Sequence, residues 1–161
     1  MSISYVLSAI NNFFVNIFEF FSGLKNKVVP ETKKYEREEG NHPKIMLHKY
    51  SIEVYGKVKE AKSFNYEKIR AMKFVDQSVN KIKWRGTTVA EVLEQAGLKK
   101  GAKRVVFHCA DGSKRSKLII DCRRSLLIYM KNRIPLPKVE GFPLALLGDS
   151  RIKWITKLEI R

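Results

Sequence analysis

Apolar residues in the first 24 positions recur at Val6, Ile10, Phe13, Phe14, Ile17, Phe21 and Leu24, the spacing of one helix face. Ser8, Asn11, Asn12, Asn16 and Glu19 interrupt the run, so residues 1–24 read as an amphipathic helix lying on a surface. A bilayer span needs roughly 20 mostly apolar residues. The surface is either protein or an acidic membrane boundary, because Lys25 and Lys27 follow at once. Residues 25–43 mix both charges with Pro30, Pro43 and Gly40, lack an apolar period, and read as a linker.

From residue 44 the pattern shortens. Tyr50, Ile52 and Val54 alternate with Ser51, Glu53 and Tyr55 up to Gly56, the two-residue period of a half-buried strand. A helix is predicted after Thr88: a Thr88–Glu91 capping box, an apolar face of Val89, Val92, Leu93 and Ala96, and Gly97 as the stop. Lys103 to Phe107 reads as a strand, Asp111 to Ser113 as a turn and Leu118 to Ile120 as a strand. Ser125 to Met130 is apolar without a clear period and fits helix or strand. Prolines and Gly141 exclude regular structure from Ile134 to Leu144. The end alternates again, with Trp154, Thr156, Leu158 and Ile160 expected inward and Lys153, Lys157, Glu159 and Arg161 outward. Short strands around few helices make residues 44–161 an α+β, mostly β domain.

Composition narrows the class. A hydrophobic fraction of 44% and a charged fraction of 30% in 161 residues suit one globular domain with a terminal appendage. Thirty-two Lys+Arg against 16 Asp+Glu leave a net charge of +16. That field attracts anions without choosing among phosphate esters, nucleic acid and acidic lipid. Cys109 and Cys122 are the only cysteines, with no CxxC pair or Cys/His cluster at zinc spacing. The N-terminus has neither a basic n-region nor a small-residue cleavage pattern, so a cytoplasmic and reducing setting is expected, with membrane association left open by residues 1–24. Serine-hydrolase, Walker and zinc-protease motifs are absent.

The order of words in the chain carries more. IEVYGKVKEAKSFNYEKIRAM, WRGTTVAEVLEQAG, AKRVVFHCADGS, LLIYMKNRIPLP, EGFPL and IKWITKLEI resemble, in sequence and spacing, the molybdopterin-binding domain of the sulfite oxidase family. The resemblance covers residues 44–161 and implies that family's mixed-sheet fold. It also implies a molybdenum pyranopterin, a cysteine thiolate on the metal and two-electron oxygen-atom transfer. A soft thiolate suits such a metal, and a buried pterin phosphate needs cations or backbone amides.

The resemblance breaks where the metal ligand belongs. Counting back from Trp84, Phe74 stands at the family's cysteine position, and its neighbours Met72, Lys73, Val75 and Asp76 offer no thiolate either. Glu140 replaces a neutral or basic cofactor contact, and Ala145 an arginine. Residues 148–154, GDSRIKW, are similar to the family's phosphate loop, so Ser150, Arg151 and Lys153 are candidate phosphate contacts. Lys153 is equally well the outward residue of the last strand. His108 and Cys109 fall in a loop that lines the cofactor in relatives, where a thiol offers an alternative ligand. The plainer reading makes Cys109 a small core residue and His108 a satisfied strand-end histidine. Cys122 reads as structural.

Two functions compete on this reading. One is a divergent molybdopterin-binding, oxidoreductase-like domain, with molybdopterin or a related pterin phosphate as cofactor and metal ligation in doubt. The other is a non-catalytic module for a phosphate-bearing or other anionic ligand. Expected partners are that ligand, a redox or scaffold protein, and a membrane surface touched by residues 1–24. Nucleic acid is disfavoured, because no aromatic platform is interleaved with Lys99, Lys100, Lys103, Arg104, Lys114, Arg115 and Lys117.

Overall fold

Two five-stranded sheets carry the chain. The first has the order β2-β1-β10-β5-β6, built from β1 (Ser51–Gly56), β2 (Lys62–Asn65), β5 (Arg104–Cys109), β6 (Lys114–Leu118) and β10 (Ile155–Ile160). β1 and β10 are parallel neighbours, with Val54 opposite Leu158, while the other pairs are antiparallel. The second has the order β3-β4-β7-β8, from β3 (Phe74–Val79), β4 (Ile82–Thr88), β7 (Leu126–Lys131) and β8 (Ile134–Pro135), with β9 (Ala145–Leu146) also on β7. Among the described residues three α-helices complete it: α1 (Tyr66–Ala71), α2 (Val89–Ala96) and the single turn α3 (Ile119–Cys122). This computed structural model describes residues 42–161, and Gly40–Arg161 form one compact unit. The expected helix over 1–24, and the linker up to residue 41, lie outside the described residues. Among the described residues no helix is long and apolar enough to cross a membrane.

Packing follows the alternation. Ile52, Val54, Phe107, Leu158 and Ile160 of the first sheet meet Val89, Val92, Leu93 and Ala96 of α2, together with Leu127 and Tyr129 of β7, in one core. Leu126 and Ile128, the intervening β7 residues, point the other way into a smaller cluster with Leu136 and Ala145, flanked by Val75 and Trp84. β7 is therefore buried on both faces, which removes any apolar–polar alternation and explains why its sequence fits helix and strand alike.

Four expectations need correction. Ile134 to Leu144 is not without regular structure: Ile134 and Pro135 pair with Lys131 and Met130 as the short edge strand β8, where a proline is tolerated, and Lys138–Glu140 form a 3-10 turn. Leu118 to Ile120 is not a strand: β6 is the charged run Lys114–Leu118, and Ile120 sits in α3 with 79% of its surface exposed. An edge strand facing solvent carries no apolar alternation that could have announced it. The final strand is not a strict alternation either, because the register shifts between Ile155 and Lys157. That bulge buries Ile155, and the Thr156 hydroxyl donates to the His108 carbonyl at 3.2 Å. The capping box is half formed. Thr88 Oγ1 accepts from the Glu91 amide at 3.1 Å, but the Glu91 carboxylate accepts from Gln95 Nε2 at 3.0 Å instead of reaching back.

β4 and β7 approach so closely at Gly86 that an added Cβ would lie 2.3 Å from the Leu127 carbonyl oxygen. Gly86→Ala is expected to force these strands apart and to cost about 3 kcal/mol, the upper end of overpacking penalties. Urea unfolding measures it, and a loss under about 0.5 kcal/mol, typical of an unconstrained surface site, would contradict the close approach.

Candidate functional site

On the small-cluster side of β7 lies a cleft of about 400 Å³. Ile128, Ala145 and Leu147 give it an apolar floor, Trp84 a wall, and Glu140, Ser150 and Lys153 a polar rim. Each rim residue is held by local chain geometry. Residues 138–140 form a 3-10 turn ending at Gly141, whose φ of +113° favours glycine. A Cβ there would sit 2.8 Å from Ala145 Cβ and 2.9 Å from Lys153 Cβ, so glycine alone lets this turn close over the cleft. The turn is fastened at successive residues. Trp154 Nε1 donates to the Lys138 carbonyl at 2.8 Å, Lys153 Nζ to the Val139 carbonyl at 3.1 Å, and Lys131 Nζ to the Glu140 carboxylate. Lys131 Nζ also lies 5.3 Å from the Trp84 ring centre.

The opposite rim, residues 148–150, turns around Asp149. Its carboxylate accepts from the Arg151 amide and Nε, both at 3.1 Å, and from Arg151 Nη2 at 3.2 Å, and it pairs with Lys117 Nζ of β6 at 3.0 Å. Arg151 first, then Lys117, hold the Asp149 carboxyl well below the usual carboxylate range, against a desolvation that raises it. Asp149 thus ties the rim to the first sheet. A second groove of about 420 Å³ lies on its other side, among Arg104, Ser116, Lys117 and α3.

Of the residues singled out in the sequence, Glu140, Ala145, Ser150 and Lys153 come together around this cleft. Arg151 does not line it; its guanidinium is spent on Asp149, and its side chain is 69% exposed. His108 and Cys109 do not line it either. His108 Nε2 faces the Glu159 carboxylate at 3.0 Å, and Cys109 is buried in the main core, where desolvation pushes its thiol upward. Cys122, buried in the same core, is also pushed up by burial. Both sulfurs therefore stay protonated at neutral pH, the poorer state for holding a metal.

Phe74 opens β3 with half of its surface exposed and with the Arg85 guanidinium 4.3 Å from its ring centre. Asp76 fixes that guanidinium through bonds of 2.7 and 2.8 Å. Because Trp84 pairs with Gln77, and Gly86 with Val75, the β3 residues on the Trp84 face are Val75 and Gln77. Val75, not Phe74, packs against the small cluster. Sequence reasoning missed Lys131, which no local motif marks, and it named Trp84 only as a landmark.

The fit to a pterin cofactor divides along the cleft. A phosphate suits the Lys153 ammonium and the Ser150 hydroxyl at the rim, and the apolar floor with the Trp84 wall suits a flat ring. The metal end lacks a match: no cysteine lines the cleft among the described residues.

The family model for the oxidoreductase molybdopterin binding domain matches residues 73–161. The chain belongs to this family. The matched stretch begins just before β3 and includes Trp84, Glu140, Ser150 and Lys153 of the cleft. Among curated relatives, the inducible nitrate reductase [NADH] 1 of Glycine max is 25% identical over 182 aligned positions, covering 83% of this chain and 20% of that protein. The uncharacterized oxidoreductase YuiH of Bacillus subtilis (strain 168) is 29% identical over 109 positions, covering 60% and 54% respectively. The chain thus spans about a fifth of the plant enzyme and about half of the bacterial one. The crystal structure of the sulfane dehydrogenase SoxCD from Paracoccus pantotrophus superposes with a TM-score of 0.67 at 18% identity, covering 74% of this chain and 40% of that one. At that identity the likeness establishes the mixed-sheet fold of a molybdopterin-binding domain.

Asp149 gives the molybdopterin-binding domain a pH signature. Its carboxyl is lowered on folding, so its stabilisation is present above the unfolded pKa near ~4 and is lost as pH falls below that. Asp149→Asn is expected to cost about 2 kcal/mol at pH 7, and the deficit to shrink between roughly pH 4 and pH 2. Denaturant unfolding at stepped pH reads this, and a deficit independent of pH would mean that the carboxylate charge is not what holds the rim.

Proposed function

We propose that this chain is a divergent molybdopterin-binding domain that grips a pterin by its phosphate and lends no cysteine to the metal. The observation that carries this reading is the convergence of Ser150 and Lys153 with Trp84 on one cleft, while both thiols are buried elsewhere. When bound, the family's cofactor supplies two-electron redox chemistry at its molybdenum. This chain's own part is to hold the phosphate with Lys153 and Ser150, to stack the ring system against Trp84, and to keep water from the apolar floor. Electrons would pass to or from a separate redox protein, and the cytoplasm, where both cysteines stay reduced, is the compartment this reading implies.

A second reading has the same cleft as a non-catalytic site for another phosphate-bearing ligand. It draws on the absence of any thiol from the cleft among the described residues.

The test is pterin content after expression in a host that makes the cofactor. Acid release and oxidation should yield pterin fluorescence from the wild type. Lys153→Ala should lower the yield roughly tenfold, the worth of one charge-assisted hydrogen bond. Cys109→Ala should leave it unchanged, since that sulfur faces the core. Wild-type protein devoid of pterin would overturn the first reading, and a melting temperature raised by phosphate esters alone would then favour the second.

A further inference from the structure

The cleft already holds an anion of its own. Glu140 lies on its rim, and its carboxylate meets Lys131 Nζ, the ammonium beside Trp84. One residue earlier, the Val139 carbonyl takes up Lys153 Nζ at 3.1 Å. Both lysines that flank the cleft are thus engaged by a single turn, through a carboxylate in one case and a carbonyl in the other.

These contacts are made to be exchanged. The Glu140 side chain is 33% exposed and that of Lys131 23%, so solvent screens their attraction, and such pairs contribute little to stability. A lysine ammonium has three donors and no fixed fork, so it can pass from one oxygen acceptor to another without rearranging its stem. An incoming monoanion offers Lys131 no more charge than Glu140 already does and is repelled by that carboxylate. A phosphate dianion offers twice the charge and three acceptor oxygens to a rim that carries Lys153 and Ser150, with Lys131 held at its edge by the Glu140 carboxylate.

We infer that Glu140 is a resident counter-anion which sets the charge selectivity of the cleft, excluding monoanions and yielding only to dianionic phosphates. The inference rests on the phosphate-gripping role of the cleft and adds the residue that decides which anions enter. It also gives the 138–140 turn a ligand-linked motion. Displacing Glu140 and Val139 from the two lysines leaves the Trp154–Lys138 bond as the one remaining side-chain tie of the three.

The test is titration calorimetry with inorganic phosphate and, separately, acetate, near pH 8 and at low salt, on wild type, Glu140→Gln and the double variant Glu140→Gln/Lys131→Met. Glu140→Gln should bind phosphate roughly tenfold more tightly, as expected for removing one like charge near the bound anion at a partly screened site. It should also acquire acetate binding that the wild type lacks. The gain should fade as salt rises toward 0.5 M and vanish in the double variant, which ties it to Lys131. Phosphate affinity unchanged by Glu140→Gln, absence of phosphate binding to that variant, or a gain that survives loss of Lys131 would each overturn the inference. Pterin content is a separate measurement, so a failure of the cofactor reading leaves these isotherms interpretable.

Discussion

Burial of β7 on both faces is the constraint from which the cleft follows. Leu127 and Tyr129 belong to the main core and Leu126 and Ile128 to the small cluster, so the strand cannot slide by one residue without exchanging the two sets. Gly86 lets β4 press against it, which brings Trp84 to the cleft wall, and β9 pairs on it through Leu127–Leu146 and Ile128–Ala145. The cleft floor is thus the outer surface of the second sheet, fixed by a core that lies behind it.

Charge at the rim is balanced locally, in spite of the large positive excess of the chain. Asp149 is neutralised by Arg151 and Lys117, and Glu140 by Lys131. Lys153 is left with a carbonyl for its partner. A cation whose present acceptor is neutral is the one with most to gain from an anionic ligand, which is why the proposed reading rests on Lys153 rather than on the more exposed Arg151. Other basic residues, such as Lys114 and Arg115 on the β6 edge, lie outside the residues that line either groove. They raise the general attraction for anions without shaping a site.

Legibility in the sequence followed how locally each feature is determined. α2 could be read residue by residue, because its cap, apolar stripe and terminating glycine all lie within ten positions, and β1 alternates visibly. The Asn65 cap of α1 was present as a signal too, its side chain accepting from the Lys68 amide, but a six-residue helix leaves too short a period to stand out. β7 and β6 resisted for opposite reasons, one apolar on both faces and the other a solvated edge. In the cleft, Ser150, Lys153, Glu140 and Ala145 were found because a family pattern marks their positions. Lys131 was not, since its role depends on the 138–140 turn folding back across β7, a contact that no spacing within β7 announces.

The placement of sulfur separates scaffold from chemistry. A metal-ligating thiolate needs a lowered pKa and a place in the cleft lining, and Cys109 has neither: it ends β5 within the main core, and burial favours its neutral form. Moving the counted position by one residue does not help, because β3 presents Val75 to the small cluster and Phe74 to Arg85. What these positions supply is apolar surface. Apolar surface beside a cationic rim can hold a flat, phosphate-bearing ring, but it adds no donor to a metal that such a ring carries. On the reading proposed above, gripping the ligand and holding a metal are therefore separable demands on this fold, and the residues that line the cleft suit the first.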